Sequence, residues 1–323
     1  MASQFVVGYQ LGRQARAGCG AGLLRGPPHA TIHPALAGSR PIRRRDLLPS
    51  VQEALAGRYK VEREVARGGA ARVFLAYDLE GRPMALKVLH PQLAVSVTAD
   101  RFLREIAFLK DIDHPRIGKL VDSGENEWLV YYVMPYVAGP TLREHLGKVK
   151  QASISDTLRI AHDLLDALEY AHAKNIVHRD VKPENIVLSS EGAVLLDFGI
   201  ARAIADAGTD RLTRSGFAVG TSSYMSPEQV EGKEDIDHRS DIYSLGCVLF
   251  ECFAGRPPFW APREEAVLRL HLEGKVPEIR KLRRDIPEPV AAALDKALQH
   301  ARDDRWQSAA HMKAALPDPA EYM

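Results

Sequence analysis

Between His178 and Gly199 the chain packs polar groups tightly around two short apolar runs, a pattern that few local structures accommodate. It reads His178-Arg179-Asp180-Val181-Lys182-Pro183-Glu184-Asn185, then Ile186-Val187-Leu188, then Ala193-Val194-Leu195-Leu196, then Asp197-Phe198-Gly199. Short β-prone runs on either side of Glu191-Gly192 predict a strand, a turn at those two residues and a second strand. Such a hairpin sets Asn185 at the start of one strand and Asp197 at the end of the next, so both reach one point in space. A carboxamide and a carboxylate offer oxygen ligands. These suit Mg²⁺, which is usually held by one or two carboxylates plus substrate phosphates.

The sequence before this stretch reads as strands and one helix. Tyr59 to Val65 and Ala71 to Asp78 are predicted strands flanking the turn Ala66-Arg67-Gly68-Gly69-Ala70, and Pro83 to Leu89 is a third strand carrying Lys87. Small residues in that turn let backbone N–H groups approach phosphate oxygens, although a Gly-Gly turn also closes a hairpin that binds nothing. A helix is predicted from Ala99 to Lys110 with Thr98 as its N-cap and Phe102, Leu103, Ile106 and Leu109 as its buried stripe. Glu105 lies beside that stripe. It is either a solvated helix-face acid or the partner of a cation, for which Lys87 is the candidate. Trp128 to Val137 is an apolar strand, and Pro135 near its end reads as an edge or hinge because it cannot donate a hydrogen bond.

Beyond lies a long amphipathic helix, Ser155 to Lys174, with Leu158, Ala161, Leu165 and Leu168 on one face and Asn175 suited to a left-handed terminus. After Asp197-Phe198-Gly199 a polar segment runs to Tyr224 without period; loops of that length in a compact domain are usually functional or disordered. Ser240 is placed as the cap of a helix from Asp241 to Ala254, apolar on most faces, stopped by Gly255 and Pro257-Pro258. Helices at Glu288 to Gln299 and Gln307 to Ala315 complete the folded part.

Residues 1–57 differ in character. Over the first fifty, seven arginines (Arg13, Arg16, Arg25, Arg40, Arg43, Arg44, Arg45) face one acid, Asp46, and no hydrophobic period is sustained. The segment reads as a disordered basic tail. An Arg-rich transit peptide, or an arm for lipid or nucleic acid, fits the same composition. Val51 to Ala56 is expected to be a short helix. For the whole chain, 43 Lys and Arg nearly cancel 42 Asp and Glu, so bulk charge gives no reason to expect nucleic acid. Three cysteines, Cys19, Cys247 and Cys252, without a Cys-x-x-Cys pair, point to neither a disulfide framework nor a zinc site. A reducing, cytoplasmic setting follows, with no membrane span expected because the apolar run Ile242 to Phe253 is short and broken by Glu251.

Taken together and in order, these residues resemble the eukaryotic-type (Hanks-type) protein kinases, most closely bacterial Ser/Thr protein kinases, over about Arg58 to Leu316. The resemblance implies an α+β, two-lobed fold: a small β-rich N-lobe (about 58–134) with one key helix, and a larger, mainly helical C-lobe (about 139–316), followed by a short tail, 317–323. It implies transfer of the ATP γ-phosphate to Ser/Thr hydroxyls of proteins, with Mg²⁺, or Mn²⁺ as substitute. A nucleotide-binding pseudokinase scaffold is the alternative.

The same resemblance assigns roles. Lys87 would hold the α- and β-phosphates and pair with Glu105. Asp180 would accept the substrate hydroxyl proton, Lys182 would stabilise charge on the γ-phosphoryl group, and Asn185 and Asp197 would ligate the metal. Adenine would lie between Val65, Val73 and Ala85 on one side and Val187 on the other, with Met134 as gatekeeper; the carbonyl of Pro135 and the N–H of Val137 would serve the hinge. Gly68 and Gly69 would cover the phosphates. Thr213 and Ser215 match autophosphorylation positions, implying self-phosphorylation in trans; Arg179 would bind such a phosphate, and Thr221 would bridge Asp180 and Lys182. Glu228 is expected to pair with Arg305, and Asp241 to anchor the His178-Arg179 backbone. One departure stands out: Ala66 occupies the first glycine position of the Gly-rich loop, where a need for positive φ would cost alanine about 1 kcal/mol.

Overall fold

The computed structural model describes residues 47–68, 71–89, 99–126, 129–198 and 222–322. All of them lie in one compact unit, Asp46–Met323. Of the positions singled out above, Gly69, Thr98, Gly199, Thr213, Ser215, Thr221 and most of the basic tail fall outside the described residues.

Five strands, β1 (Lys60–Arg67), β2 (Ala71–Tyr77), β3 (Pro83–Leu89), β4 (Asp122–Asn126) and β5 (Leu129–Pro135), form one antiparallel sheet in the order β1-β2-β3-β5-β4. Side chains alternate across a strand, so each face has its own core. Met84, Leu86 and Val88 of β3 and Leu129, Tyr131 and Val133 of β5 face one side. Ala85 of β3 and Val130, Tyr132 and Met134 of β5 face the other. That second side is covered by helix α2 (Ala99–Ala107) through Phe102 and Ile106. The predicted helix ends early: Phe108–Asp111 winds into a 3₁₀ turn, which still buries Leu109.

The first side is covered by a helix from within the predicted tail. In α1 (Leu48–Ala54), Val51 is buried, as are the flanking Leu47 and Leu55, all against Val61, Phe74 and the outward residues of β3 and β5. The folded unit therefore starts before residue 58. The apolar spacing of Leu47, Val51 and Leu55, one helical face, explains why.

The larger lobe is helical: α3 (Leu142–Val149), α4 (Ile154–Ala173), α5 (Pro227–Val230), α6 (Arg239–Ala254), α7 (Glu264–Glu273), α8 (Ile279–Leu282), α9 (Glu288–Ala297) and α10 (Ala309–Ala315), with the hairpin β6 (Ile186–Ser189) and β7 (Gly192–Leu195) among them. Ser153 caps α4, whose predicted face Leu158, Ala161, Leu165 and Leu168 is buried; Asn175 follows it with φ 59°, as expected of a left-handed terminus. Every residue of α6 from Ser240 to Phe253 is buried, and Gly255 ends it at φ 77°. Ser240 is not its cap: the helix starts at Arg239, and the Ser240 hydroxyl is used by Glu228 instead. The tail after residue 316 is also packed, with Ser155 Oγ donating to Pro319 O at 3.1 Å and His162 bonded to Pro317 O at 3.2 Å.

If α1 is part of the folded unit, Leu55→Ala should lower stability by about 2–4 kcal/mol, the cost of truncating a buried leucine. Urea unfolding of the two proteins measures it, and an unchanged midpoint would place the helix outside the cooperative unit.

Candidate active site

The polar stretch is held from beneath by α6. The Asp241 carboxylate, fully buried, accepts the backbone N–H of His178 and of Arg179 at 2.8 Å each, and bonds His172 Nε2 at 2.8 Å. Burial would raise its pKa, but the hydrogen bond and charge of His172, with the His178 contacts, hold it below the usual carboxylate value. Arg179 takes a left-handed backbone, φ 67°, which a non-glycine residue keeps only when its surroundings enforce it. Gln229 of α5 donates to Arg179 O at 2.8 Å. The expected anchoring role of Asp241 is thus present.

The loop then turns its chemistry outward. Lys182 Nζ lies 2.7 Å from Asp180 Oδ2. Asn185 donates its Nδ2 to the same carboxylate at 3.0 Å and to Asp180 O at 2.9 Å, which leaves its amide oxygen as the atom able to ligate a cation. Leu196 N–H donates to Asn185 O at 2.8 Å, and His178 Nε2 bonds Leu196 O at 2.8 Å, so the end of β7 is tied to the loop beside Asp197. Phe198 packs edge-on to His178 with ring centroids 4.5 Å apart. The expected hairpin forms, with Ile186 opposite Leu195 in register, but its turn lies one residue earlier than predicted, at Ser190-Glu191, because Gly192 already pairs with Ser189.

Lys87 corrects one expectation. Its ammonium is paired with Asp197 Oδ2, and no contact between Lys87 and Glu105 is formed. The physical reason is competition for one cation. The Asp197 side chain is 15% exposed, so leaving it unpaired would be costly, and with the cation on Asp197 the partly buried Glu105 on α2 goes without it. Asp197 is itself left-handed, φ 67°. Its other oxygen accepts the Tyr132 hydroxyl at 3.2 Å, a contact the sequence reading did not anticipate. Burial, and then the charge of Asp197, raise the Tyr132 hydroxyl well above its ordinary pKa, so it stays a donor. The signal was in the strand period: Tyr132 shares a face with Met134, two positions on.

Among the cleft residues, Ala85 pairs with Met134 across β3 and β5, Val73 with Lys87 across β2 and β3, and Met84 with Pro135, whose strand ends in the Tyr136 N–H bonded to Pro83 O at 3.0 Å. Val65 lies on β1 and Val187 on β6; Val137 follows the hinge, half-buried. Ala66 pairs with Val73 as an ordinary strand residue and is not among the residues of positive φ, so the feared cost of replacing glycine does not arise. Gly68 N–H closes the turn on Ala71 O at 2.9 Å.

Two acid–arginine clusters brace this region. Arg143 of α3 joins Glu184 at 2.8 Å and the buried Glu251 at 2.6 Å, and also meets Tyr224. The second is the expected pair: Arg305 holds Glu228 through two hydrogen bonds of 2.8 Å, both side chains buried. Burial alone would raise the Glu228 carboxyl, but the Arg305 hydrogen bonds and charge, with the Ser240 hydroxyl, bring it from 4.5 to about 2. A carboxyl depressed in the fold contributes stability above its unfolded value, and that contribution is lost as pH falls from about 4.5 toward 2. Glu228→Gln should therefore cost about 3–5 kcal/mol at pH 7 by stranding a buried guanidinium. In denaturant unfolding, the gap to wild type should narrow as pH drops below 4.5; a gap independent of pH would refute the pairing as its source.

Among the described residues, no cluster of three or more His, Cys, Asp or Glu side chains could hold a metal alone, and no helix is long and apolar enough to cross a membrane. Cys247 and Cys252 are buried free thiols. A family profile, the protein kinase domain, matches residues 59–316. The serine/threonine-protein kinase PknB of Mycolicibacterium smegmatis is 41% identical over 270 residues, covering 81% of this chain and 43% of that protein. PknB of Mycobacterium tuberculosis is 39% identical over 274 residues, again 81% and 43%. A probable serine/threonine-protein kinase of Streptomyces coelicolor is 40% identical over 269 residues, 81% and 40%. The chain thus spans about two-fifths of the length of these curated relatives. With a five-stranded antiparallel N-lobe, a helical C-lobe and the polar loop between them, the chain belongs to the eukaryotic-type protein kinase family.

Proposed function

We propose that the chain is an ATP- and Mg²⁺-dependent protein Ser/Thr kinase of the cytoplasm that phosphorylates Ser and Thr hydroxyls of protein substrates and of second copies of itself. The observation that carries this reading is that Lys182 and Asn185 both bond Asp180, while Leu196 N–H on Asn185 O ties in the neighbouring Asp197, which holds the N-lobe Lys87. The donor set fits a magnesium ion: one carboxylate and one carboxamide oxygen, short of a full protein cage, suit a hard cation that keeps phosphate and water ligands. Asp197 and Asn185 would hold it, and Mn²⁺ could replace it. Bound there, the metal neutralises charge on the β- and γ-phosphates.

The chain's own groups supply the rest. The Asp180 carboxylate orients the substrate hydroxyl and accepts its proton, and Lys182, already beside it, counters charge on the transferred group. Lys87 has two tasks, Asp197 in the present arrangement and the α- and β-phosphates with Glu105 in the catalytic one. Val65, Val73, Ala85, Met134 and Val187 enclose the adenine, and Pro135 O and Val137 N–H meet its edge. Gly68 and Gly69 cover the phosphates. Thr221 supports Asp180 and Lys182. A phosphate on Thr213 or Ser215 would be bound by the Arg179 guanidinium. Because phosphoryl transfer asks little covalent work of the protein, positioning and charge account for the rate.

Incubation with Mg²⁺ and γ-labelled ATP, followed by phosphosite mapping, tests the proposal. Phosphate is expected on Thr213 or Ser215 of the wild type and absent from Asp180→Asn. ADP release without protein-bound phosphate would contradict protein kinase activity, and nucleotide binding without turnover would point to a scaffold.

A further inference from the structure

Tyr132 is a buried phenol in the middle of β5, 3% exposed, and nothing in the kinase assignment gives it a role. Its place is set by strand alternation: Tyr131 and Val133 turn toward the core under α1, whereas Tyr132 turns toward the cleft with Met134. Lys87 is its register partner on β3, and Lys87 Nζ lies 6.0 Å from the centre of its ring. The ring also packs against Phe102 of α2, centroids 6.4 Å apart, and lines a cavity of about 20 Å³ with Leu109, Met134, Asp197 and Phe198. The hydroxyl reaches out of this apolar setting to Asp197 Oδ1 at 3.2 Å.

The two N-lobe donors divide one carboxylate. Lys87 takes Oδ2 and Tyr132 takes Oδ1. Asp197 has a left-handed backbone, φ 67°, a conformation retained only where the surroundings over-determine it. From the C-lobe side, His178 and Asn185 fix the preceding residue, Leu196. Among the described residues, the side chains that hold the carboxylate itself, Lys87 and Tyr132, come from the N-lobe. Of the two donors Lys87 is the one that catalysis must share with phosphate, so Tyr132 is the donor that can stay. A carboxylate has about four lone-pair positions, and one phenol hydrogen bond leaves the others for a cation.

We propose that Tyr132 is a positioning residue that clamps the Asp197 carboxylate for metal binding and ties that ligand to the β5 strand of the opposite lobe. The inference rests on Asp197 as a metal ligand. Partners that orient ligating carboxylates typically change metal affinity 10–100-fold when removed.

Tyr132→Phe keeps the ring and its packing and deletes only the donor. The protein is loaded with a non-hydrolysable ATP analogue, Mn²⁺ binding is followed by electron paramagnetic resonance, and analogue affinity without metal and thermal stability are measured alongside. Tyr132→Phe should bind Mn²⁺ about tenfold more weakly, with metal-free analogue affinity within twofold of wild type and only a small change in melting temperature. In turnover, the Mg²⁺ concentration for half-maximal rate should rise by a similar factor, while the KM for ATP at saturating Mg²⁺ stays near wild type. Tyr132→Leu should match Tyr132→Phe in Mn²⁺ affinity and differ from it only in stability. Asp197→Asn separates the premises. If it loses Mn²⁺ binding while Tyr132→Phe binds like wild type, the clamp is overturned and the metal assignment stands. If Asp197→Asn binds Mn²⁺ like wild type, the metal assignment itself fails, and the clamp with it.

Discussion

One buried carboxylate sets the geometry of the polar loop that begins at His178. Asp241 sits on a helix whose residues are buried on every side, so it cannot move without disturbing the whole C-lobe core. Its two oxygens are committed to the N–H groups of His178 and Arg179 and to the His172 ring. Leaving such backbone donors unpaired inside a protein is costly, and that penalty keeps the loop where it is. From this fixed point the chain turns outward through Arg179 and presents Asp180, Lys182 and Asn185 within hydrogen-bonding distance of one another. The hairpin that follows returns Asp197 to the same place, secured through Leu196.

Among the described residues, the N-lobe supplies Asp197 with a cation, Lys87, and a second donor, Tyr132. With Lys87 on Asp197, Glu105 is left without it. One positive charge stands near two partly buried carboxylates, and Asp197 takes it. Tyr132 joins that carboxylate to α2, touching Asp197 with its hydroxyl and Phe102 with its ring.

Much of this was legible in the sequence because it is local. Period-2 runs placed β3 to the residue, the apolar spacing of Leu158, Ala161, Leu165 and Leu168 placed the face of α4, and Asn175 and Gly255 marked helix ends. The hairpin from Ile186 to Leu195 followed from two apolar runs and a turn. What escaped were choices made by distant partners. Whether Lys87 meets Glu105 or Asp197 depends on where the folded chain places each carboxylate, which no spacing encodes. Ser240 looks like a cap until Glu228 is seen to take its hydroxyl. The short helix expected at Val51 to Ala56 exists but starts earlier, at Leu48, and its packing on the sheet through Leu47, Val51 and Leu55 was not read from the sequence. Ala66 read as a defect only by comparison with a glycine motif; its strand geometry has no need of glycine.

Asp241 holds the His178-Arg179 backbone that leads into Asp180, so in the proposed kinase it would position phosphoryl transfer without touching the reacting groups. The direct measurement is the rate of phosphate transfer to a Ser/Thr peptide by Asp241→Asn, with nucleotide affinity and melting temperature measured on the same preparation. The amide cannot satisfy both backbone donors and the His172 ring as the carboxylate does. A displacement of about 1 Å in catalytic groups can cost about 100-fold in rate. The expected result is a folded variant that binds nucleotide within a few-fold of wild type and transfers phosphate about 100-fold more slowly. A folded Asp241→Asn protein with the wild-type rate would contradict the account.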